Sequence, residues 1–390
     1  MAADSGVGMK DGKSIPFCRP KFGNVERAYV ERAMAGGRLE GGGEFNRACE
    51  QLLQSQIGCA RAMITPSCTA ALEMMALMLD IQPGEEVIMP SFTFVSSANA
   101  IALRGGIPVF ADVDPATMNL DPALVEAAIT PKTRAIMTVH YAGVGCDMGA
   151  FTELCDQNDI VLLEDAAQAI GASWQGRALG SFGQMGAFSF HHTKNISCGE
   201  GGALTINDEA FAPVAEKIQD KGTDRADFRR GIQSKYEWLT LGSSFLLSEL
   251  TAGVLRAQLE SVEELTSRRL VLWHAYDAAF RNRGDIRTPE IPQEAQHNGH
   301  IYHFRLPNQE LRDALVAHCR SAGIVAASHY VPLNDTVGGR KFGRASGSLQ
   351  NTIECSETII RMPIYNEMTP ADQDFVISHV SDFLDAQRLR

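Results

Sequence analysis

A single lysine stands between an apolar run and a glycine-rich turn at residues 188–204, which read FSFHHTKNISCGEGGAL. Lys194 could form a Schiff base with a carbonyl compound if its pKa is low enough to supply free amine. Ser189, five residues earlier, could bond a phosphate oxygen. The glycines between Gly199 and Gly202 allow a tight turn that brings backbone close to a ligand. The alternative interpretation is a surface lysine before a hairpin.

A second group of residues with chemical potential lies at 162–168, where the chain reads LLEDAAQ. A carboxylate at the C-terminal end of a parallel strand faces the crevice in which α/β sheets bind ligands. Asp165 could therefore hold a protonated ring nitrogen, and Gln168 could donate to a ring oxygen. The alternative for Asp165 is that it caps the next helix.

The third group is TPSCTAALE at residues 65–73. Pro66 and the hydroxyl residues interrupt regular secondary structure there, and helical periodicity begins directly after them. A helix N-terminus presents unpaired N–H groups and a partial positive charge, so it can hold a phosphate. The alternative is an ordinary N-cap by Ser67 or Thr69.

A phosphate site, a carboxylate for a ring nitrogen and an imine-forming lysine are together what pyridoxal phosphate requires. The sequence therefore predicts an enzyme that uses this cofactor. No metal site is predicted, because the nine cysteines include no CxxC pair and the ten histidines include no HExxH motif.

Four short apolar runs without alternation are typical of parallel strands that are covered on both faces. They lie at 86–90, 108–112, 135–139 and 160–165. Helices are predicted before and between them at 70–79, 96–104, 122–129 and 148–158. This alternation indicates an α/β fold with a mainly parallel sheet.

The rhythm changes near Ser248, where apolar residues recur at helical spacing as far as Phe280. We expect one or two long helices there, leading into a smaller C-terminal domain. That domain has a predicted strand at 301–306 and predicted helices at 310–322 and after Pro370.

The predicted organisation has three parts: a disordered leader over 1–15, a large cofactor-binding domain over 16–255, and a linking helix with a small C-terminal domain over 256–390. A net charge of −12 argues against nucleic acid or an anionic membrane surface as partner. No apolar run reaches the ~20 residues that span a bilayer, and no secretory signal is visible. We therefore expect a cytoplasmic protein.

Several motifs together resemble the DegT/DnrJ/EryC1/StrS family of sugar-nucleotide aminotransferases. They are the three groups above with PSFTFVSSAN, which begins at Pro90, and HYVPL, which begins at His329. The resemblance runs from about residue 16 to the last helix. It implies a fold-type-I pyridoxal-phosphate transferase of the aspartate-aminotransferase architecture, with a smaller C-terminal α+β domain.

Other stretches resemble one subgroup of that family, the enzymes that make dTDP-4-amino-4,6-dideoxygalactose for enterobacterial common antigen. These stretches are IQPGEEVIMPSFTFVSSANA, VHYAGVGCDM, KGTDRADFRRG and LGSSFLLSEL.

For the chemical centre, the resemblance matches Lys194 to the Schiff-base lysine and Asp165 to the partner of the pyridine nitrogen. It matches Gln168 to the residue near the cofactor hydroxyl. These three assignments agree with the roles that the residue types suggest on their own.

For the rest of the cofactor site, the resemblance matches Ser189 and the amides of Cys68 and Thr69 to the phosphate site. Phe94 falls where the family places an aromatic ring against the cofactor face. Without the family, Phe94 would be assigned to the core.

The sequence departs from the family pattern at two positions. Ser244 stands where many members have an asparagine that reaches the phosphate in the neighbouring subunit, and a serine can still donate one hydrogen bond. Asn334 stands where histidine is usual, and its role stays open. The resemblance also implies that His329 and Tyr330 bind substrate.

The resemblance implies transamination from L-glutamate to C4 of a dTDP-4-keto-6-deoxyhexose in a homodimer with shared active sites. Cations must then hold the diphosphate, and the best candidates lie in the segment that contains Lys221 and Arg229; a solvated charged loop is the alternative. Amination at C3, a gluco product and a non-catalytic cofactor- or sugar-binding relative remain open. A dehydratase is disfavoured, because those relatives replace the lysine with histidine and this chain keeps Lys194.

Overall fold

The computed structural model describes residues 14–388. The α-helices of this range are α1 (Asn24–Ala35), α2 (Glu44–Ile57), α3 (Cys68–Met78), α4 (Val95–Ala102), α5 (Pro122–Glu126), α6 (Met148–Asn158), α7 (Ala212–Gln219), α8 (Arg225–Arg229), α9 (Glu249–Glu260), α10 (Val262–Phe280), α11 (Gln309–Ser321), α12 (Val337–Phe342), α13 (Gln350–Thr358) and α14 (Pro370–Arg388).

The strands of the same range are β1 (Arg61–Thr65), β2 (Glu86–Pro90), β3 (Ile107–Ala111), β4 (Thr133–Val139), β5 (Val161–Asp165), β6 (Ser173–Trp174), β7 (Arg177–Ala178), β8 (Met185–Ser189), β9 (Gly202–Ile206), β10 (Ala295–Gln296), β11 (Tyr302–Arg305), β12 (Arg344–Ala345) and β13 (Ile359–Met362). Short 3₁₀ turns occur at Tyr141–Gly143, Glu209–Phe211 and Leu333–Asp335.

An eight-stranded sheet in the order β1-β9-β8-β5-β4-β2-β3-β12 forms the centre of the molecule. The pairs from β8 to β12 are parallel, whereas β9 runs antiparallel to both β8 and β1. The expected mainly parallel α/β fold is therefore confirmed. The parallel strands place their carboxyl ends at one edge, where a ligand crevice is expected.

The sheet has a separate hydrophobic core on each face, because successive side chains of a strand point to opposite sides. On β5, Leu162 belongs to the core with α2, α6 and α9, and Leu163 belongs to the core with α3, α4 and α7. The four predicted strands are thus buried on both sides, as their continuous apolar character indicated.

A third core lies in the C-terminal part, where α10, α11 and α14 pack on the two-stranded sheet of β11 and β13. The leader predicted for 1–15 lies mostly outside the described residues, but it does not hold at its end. Ile15 is buried in this third core and pairs with Ile324. The predicted boundary at 255/256 falls within α9, which is followed at once by α10, and its position stays a prediction.

Candidate active site

Lys194 lies in the connection between β8 and β9, two antiparallel strands that are third and second in the order of the sheet. Its backbone N–H donates to the carbonyl oxygen of His191 at 2.9 Å. The next residue, Asn195, is buried and anchors the loop, since its amide donates to the Asn298 carbonyl at 2.9 Å and its side-chain oxygen lies 2.7 Å from Nδ1 of His300. The position of the lysine is therefore fixed from both sides.

The alternative of a surface lysine before a hairpin is half right. The hairpin exists, but Lys194 is only partly accessible, and burial lowers the pKa of its amine below the ordinary value of 10.5. Cys68 and Asp165 raise this pKa and Arg361 lowers it. The balance favours the free amine that an imine-forming lysine needs.

Asp165 ends β5 and is buried, with 5 % of the residue exposed. The Ser97 hydroxyl donates to Oδ2 at 2.7 Å, and the Ala167 N–H donates to Oδ1 at 3.1 Å. The segment after β5 is a turn and not a helix, so the alternative of a helix cap is wrong. A buried carboxylate that is fixed by two donors is in a position to hold a protonated ring nitrogen.

The N-terminus of α3 lies against the end of β9. Ser67 caps this helix by accepting from the Ala70 N–H at 3.1 Å, and the N–H groups of Cys68 and Thr69 in the first turn have no intrahelical partner. The approach requires glycine at 202, because a Cβ there would lie 2.4 Å from the Cys68 backbone nitrogen. The Ser67 cap therefore leaves the first N–H groups of this helix available to an anion.

The remaining phosphate candidate, Ser189, is buried at the end of β8. Its Oγ accepts from the His191 N–H at 3.4 Å. The Thr69 hydroxyl bonds that of Ser96 at 2.7 Å, which ties the start of α3 to α4.

Gln168 is buried, and its amide connects the large domain to the segment that carries HYVPL. Its Oε1 accepts from the Ala142 N–H at 2.7 Å, and its Nε2 donates to the Tyr330 hydroxyl at 3.2 Å. Its predicted donor group is therefore bonded to Tyr330.

His329 and Tyr330 lie together beside Gln168. Their rings stack with centroids 3.8 Å apart, and the Tyr141 hydroxyl lies 3.2 Å from Nδ1 of His329. Burial lowers the pKa of His329 well below its ordinary value, so this ring is neutral at pH 7. Burial likewise raises the pKa of Tyr330 to about 12, which keeps its hydroxyl protonated.

Phe94 precedes α4 and is 51 % exposed, so its assignment to the core is wrong. Phe94 is the N-cap residue of α4, the helix that also carries Ser97, and it lies four residues after the end of β2.

No hydrogen bond or ion pair of residues 14–388 joins Ser244, Lys221 or Arg229 to Lys194. Ser244 is exposed and bridges Asp220 in the backbone. The cations of Lys221 and Arg229 both face the buried carboxylate of Asp220, at 2.8 Å and 3.6 Å respectively. They form a local charged cluster with Asp220.

Three residues beside the candidate site were not found by sequence reasoning. Ser97 positions Asp165, Tyr141 contacts His329, and Arg361 exerts its charge on Lys194. Asn334, whose role the sequence left open, accepts from the Ser91 hydroxyl at 2.7 Å and so ties its turn to the end of β2. The serine pair in PSFTFVSSAN was the available signal for Ser97.

These residues fit pyridoxal phosphate by the chemistry of the donor set: an amine of lowered pKa, a buried carboxylate and a helix N-terminus. With the mainly parallel sheet, they define a pyridoxal-phosphate-dependent aminotransferase of fold type I. The chain belongs to the DegT/DnrJ/EryC1/StrS aminotransferase family, whose sequence profile matches residues 20–381.

Individual relatives agree with this assignment. The chain is 31% identical over 378 residues to the spore coat polysaccharide biosynthesis protein SpsC of Bacillus subtilis (strain 168), covering 95% of this chain and 97% of SpsC. The crystal structure of the aminotransferase TlmJ from Streptoalloteichus hindustanus is 30% identical, with a TM-score of 0.89 and coverage of 96% and 100%.

A more distant structure shares the fold. Spr1654 from Streptococcus pneumoniae, in its PLP form, is 24% identical, with a TM-score of 0.89 and coverage of 96% of this chain and 99% of that chain. A PMP form of the same protein is also solved.

Proposed function

We propose that the chain transfers an amino group from L-glutamate to C4 of dTDP-4-dehydro-6-deoxyglucose. The products are 2-oxoglutarate and dTDP-4-amino-4,6-dideoxygalactose. Membership in the family supports a sugar aminotransferase, and the resemblance of four stretches to the galactose-forming subgroup supports the sugar. The observation that carries the catalytic part is a lysine of lowered pKa in a site with the buried carboxylate of Asp165.

In this proposal Lys194 and Asp165 are the catalytic residues. Pyridoxal phosphate supplies the carbon that carries the amino group and a ring that accepts an electron pair. Lys194 Nζ takes a proton from the donor's α-carbon and, in the second half-reaction, delivers one to C4 of the sugar. Asp165, oriented by Ser97, keeps the ring nitrogen protonated, so that the ring remains a strong electron acceptor.

Five further residues hold the cofactor in the proposed site. The N–H groups of Cys68 and Thr69 bind the phosphate at the positive end of α3, with the hydroxyl of Ser189 beside them. Gln168 faces the ring hydroxyl. Phe94 lies against the ring face, and this contact is open to it because its side chain is exposed.

The proposed sugar-nucleotide contacts come from two regions. His329 and Tyr330 face the sugar, since they stack beside Gln168. Lys221 and Arg229 would hold the diphosphate, which makes Asp220 their competing partner in the free protein. The nucleotide is anionic and the chain is net acidic, so a local cation cluster is required.

We further propose a homodimer in which Ser244 of one protomer completes the cofactor phosphate site of its partner. The segment before Ser244 exposes a set of large apolar side chains, as an interface does before assembly. They are Phe228, Ile232, Tyr236, Trp238, Leu239 and Leu241.

We propose the cytoplasm as the setting of the reaction. In residues 14–388, no helix is long and apolar enough to cross a membrane. The polysaccharide role in the name of SpsC supports a product that is used in cell-surface polysaccharide synthesis.

The test is NMR of the product formed from dTDP-4-keto-6-deoxyglucose and L-glutamate. A new C–N bond at C4 with a small H3–H4 coupling is the expected result. A large coupling would identify the gluco isomer, and nitrogen at C3 would identify the other regiochemistry. Cofactor that stays unchanged with glutamate would identify a non-catalytic binding protein.

A further inference from the structure

Two arginines of the C-terminal part stand directly opposite each other. Arg287 lies in the segment between α10 and β10, and its N–H donates to the carbonyl oxygen of Arg305, at the end of β11, at 2.9 Å. The Arg305 N–H donates back at 2.8 Å, so the two residues form an antiparallel bridge. Side chains that are paired in this way lie on the same face, where like charges destabilise the pairing. An anion beside both guanidinium groups would remove this repulsion.

The fold supplies one shared carboxylate for these two cations. Oε1 of Glu354 lies 3.3 Å from Nη1 of Arg287 and 3.4 Å from Nη1 of Arg305. Charge-assisted hydrogen bonds are normally about 2.7–2.9 Å long, so both contacts are weak. A guanidinium carries several N–H donors, and one shared oxygen therefore leaves donors available on both side chains.

Both arginines line a cavity of about 670 Å³ between the C-terminal part and the loop after β3. The loop contributes Pro115 and Met118 to the wall, and the segment between α10 and β10 adds Ile286. A volume of this size is typical of sites that hold a small organic molecule, and it is larger than a bare ion requires.

A buried histidine in the same wall lacks a bonding partner. His303 lies two residues before Arg305 on β11, so its side chain is on the same face of the strand. It is 3% exposed, and its Nδ1 has no hydrogen-bond partner in the described part of the chain. Burial and the charges of Arg305 and Arg361 lower the pKa of His303 to about 3, so the ring is neutral at pH 7. Buried polar groups are normally bonded, so this ring is a second and independent sign of a ligand.

The other charged side chains of the wall are engaged or open to solvent. Arg281 donates to both carboxylate oxygens of Asp277, at 2.6 and 2.7 Å. Glu290 is exposed, and its carboxylate can accept hydrogen bonds from the hydroxyl groups of a ligand. The cations that remain for an anionic ligand are therefore Arg287 and Arg305.

The cavity lies behind the candidate active site and is separate from it. The residues of the described chain that line it do not include Lys194, Asp165 or His329. Tyr141 stands between the two sites, since its ring lies 5.7 Å from that of His303 and its hydroxyl contacts His329. A molecule in this cavity is therefore neither the cofactor nor a substrate in its reacting position.

We propose that this cavity binds a phosphate ester of a small hydroxylated molecule, with the phosphate between Arg287 and Arg305. The two oxygens of a carboxylate match one guanidinium fork, whereas a phosphate presents three oxygens and can accept from two forks. His303 donates its ring N–H to the same group, and Thr288 and Glu290 bond the hydroxyl groups of the ester. The site goes beyond the transamination proposed above and does not depend on it.

The test is calorimetric titration of the cofactor-loaded protein with glucose 1-phosphate, because the bound cofactor already fills the phosphate site at α3. We expect saturable binding of one molecule per chain at concentrations up to about 10 mM. Inorganic phosphate lacks the hydroxylated body, and glucuronate carries a carboxylate in place of the phosphate. Both should bind at least about 10-fold more weakly than glucose 1-phosphate.

Substitution of Arg287 tests the position of the phosphate. The Arg287 side chain is 71% exposed, so its replacement should not disturb the fold. Arg287→Met should weaken the binding of glucose 1-phosphate at least about 10-fold, because it removes a charge-assisted contact. Arg287→Lys should lie between, since it keeps the charge and loses the planar fork. Arg320→Met, on the exposed surface of α11, is the matched control and should bind like the wild type.

Chemical labelling locates the site without any substitution. Phenylglyoxal modifies accessible arginines, and the modified peptides are quantified by mass spectrometry. Glucose 1-phosphate at twice its dissociation constant should slow the labelling of Arg287 about 3-fold. The labelling rate of Arg320 should stay unchanged.

Four outcomes overturn the inference. One is the absence of saturable binding, and another is unchanged affinity and labelling at Arg287. A third is binding of inorganic phosphate or glucuronate as tight as that of glucose 1-phosphate. The last is a loss of binding in Arg229→Met but not in Arg287→Met, which would place the ester at the cations proposed for the diphosphate.

Discussion

Glu164 and Asp165 are adjacent on β5, and their carboxylates point to opposite faces of the sheet. Glu164 accepts hydrogen bonds from the backbone N–H groups of Gly180, Phe182 and Gly183. Asp165 accepts from Ser97 on the other face. Because successive side chains of a strand point to opposite faces, Glu164 holds a loop on one face, whereas Asp165 lies with Ser97 on the other.

For Asp165, replacement by asparagine should remove the charge that holds the ring nitrogen while keeping the shape. We expect kcat to fall about 10²–10³-fold, as when one electrostatic contact to a reacting group is lost. Cofactor binding should be retained. Stopped-flow measurement of the glutamate half-reaction checks this, and a variant with a wild-type rate would remove Asp165 from the chemistry.

For Glu164, replacement by glutamine should reduce stability instead of chemistry. Its carboxylate is fully buried and also bonds His140, whose Nδ1 accepts from the Cys146 N–H so that Nε2 donates to Glu164 at 3.0 Å. An amide would turn one acceptor into a donor facing donors. We expect a loss of about 2–4 kcal/mol in the free energy of unfolding, measured in urea.

The matched control for Glu164 is Glu153→Gln on the exposed face of α6. It should change the same quantity by less than about 0.5 kcal/mol. Equal stabilities for both variants would show that Glu164 does not hold the loop after β7.

The close approach of β9 to α3 gives a prediction about cofactor affinity. In Gly202→Ala, the new Cβ would lie 2.3 Å from the Ser67 carbonyl carbon, so the N-terminus of α3 must shift. Overpacking of this kind costs about 1–3 kcal/mol, and the phosphate site moves with it. We expect cofactor affinity, measured by equilibrium absorbance, to fall at least about 10-fold.

Gly284→Ala is the control for that substitution, because nothing lies within 4 Å of its added Cβ. Its affinity for the cofactor should equal that of the wild type. If Gly202→Ala also binds normally, the phosphate does not lie at this helix end.

The pH dependence of cofactor capture reports on the Lys194 amine. Only the unprotonated amine reacts, so capture accelerates as the pH rises through its pKa. Burial places this pKa below 10.5, and Asp165 opposes the shift while Arg361 adds to it. The midpoint should therefore move to lower pH in Asp165→Asn and to higher pH in Arg361→Met. Shifts of the same sign would contradict the arrangement of charges.

Four parallel strands of the central sheet could be predicted because they are continuous apolar runs. The strand at 86–90 has the predicted bounds, whereas α3 begins two residues earlier than predicted because Ser67, and not Thr69, is its cap. The predicted helix at 122–129 ends already at Glu126. Helix ends depend on local capping that periodicity does not encode.

The lysine, the acid and the glutamine were recognisable because strand ends and turns have a chemical signature of their own. Arg361 was not recognisable, since it lies within the apolar stretch of β13 and its contacts, with Phe17 and Ser328, come from distant parts of the sequence. Ser97 was missed for the same reason: its partner Asp165 is 68 residues away in the sequence.

The central assignment is the amine at position 194, and borohydride trapping tests it most directly. The reconstituted protein is reduced, digested and analysed by peptide mass spectrometry. The pyridoxyl adduct should be found on Lys194 of the wild-type chain, and Lys194→Ala should carry none and lack the visible absorbance. An adduct on another lysine, or retained absorbance and turnover in the variant, would contradict the account.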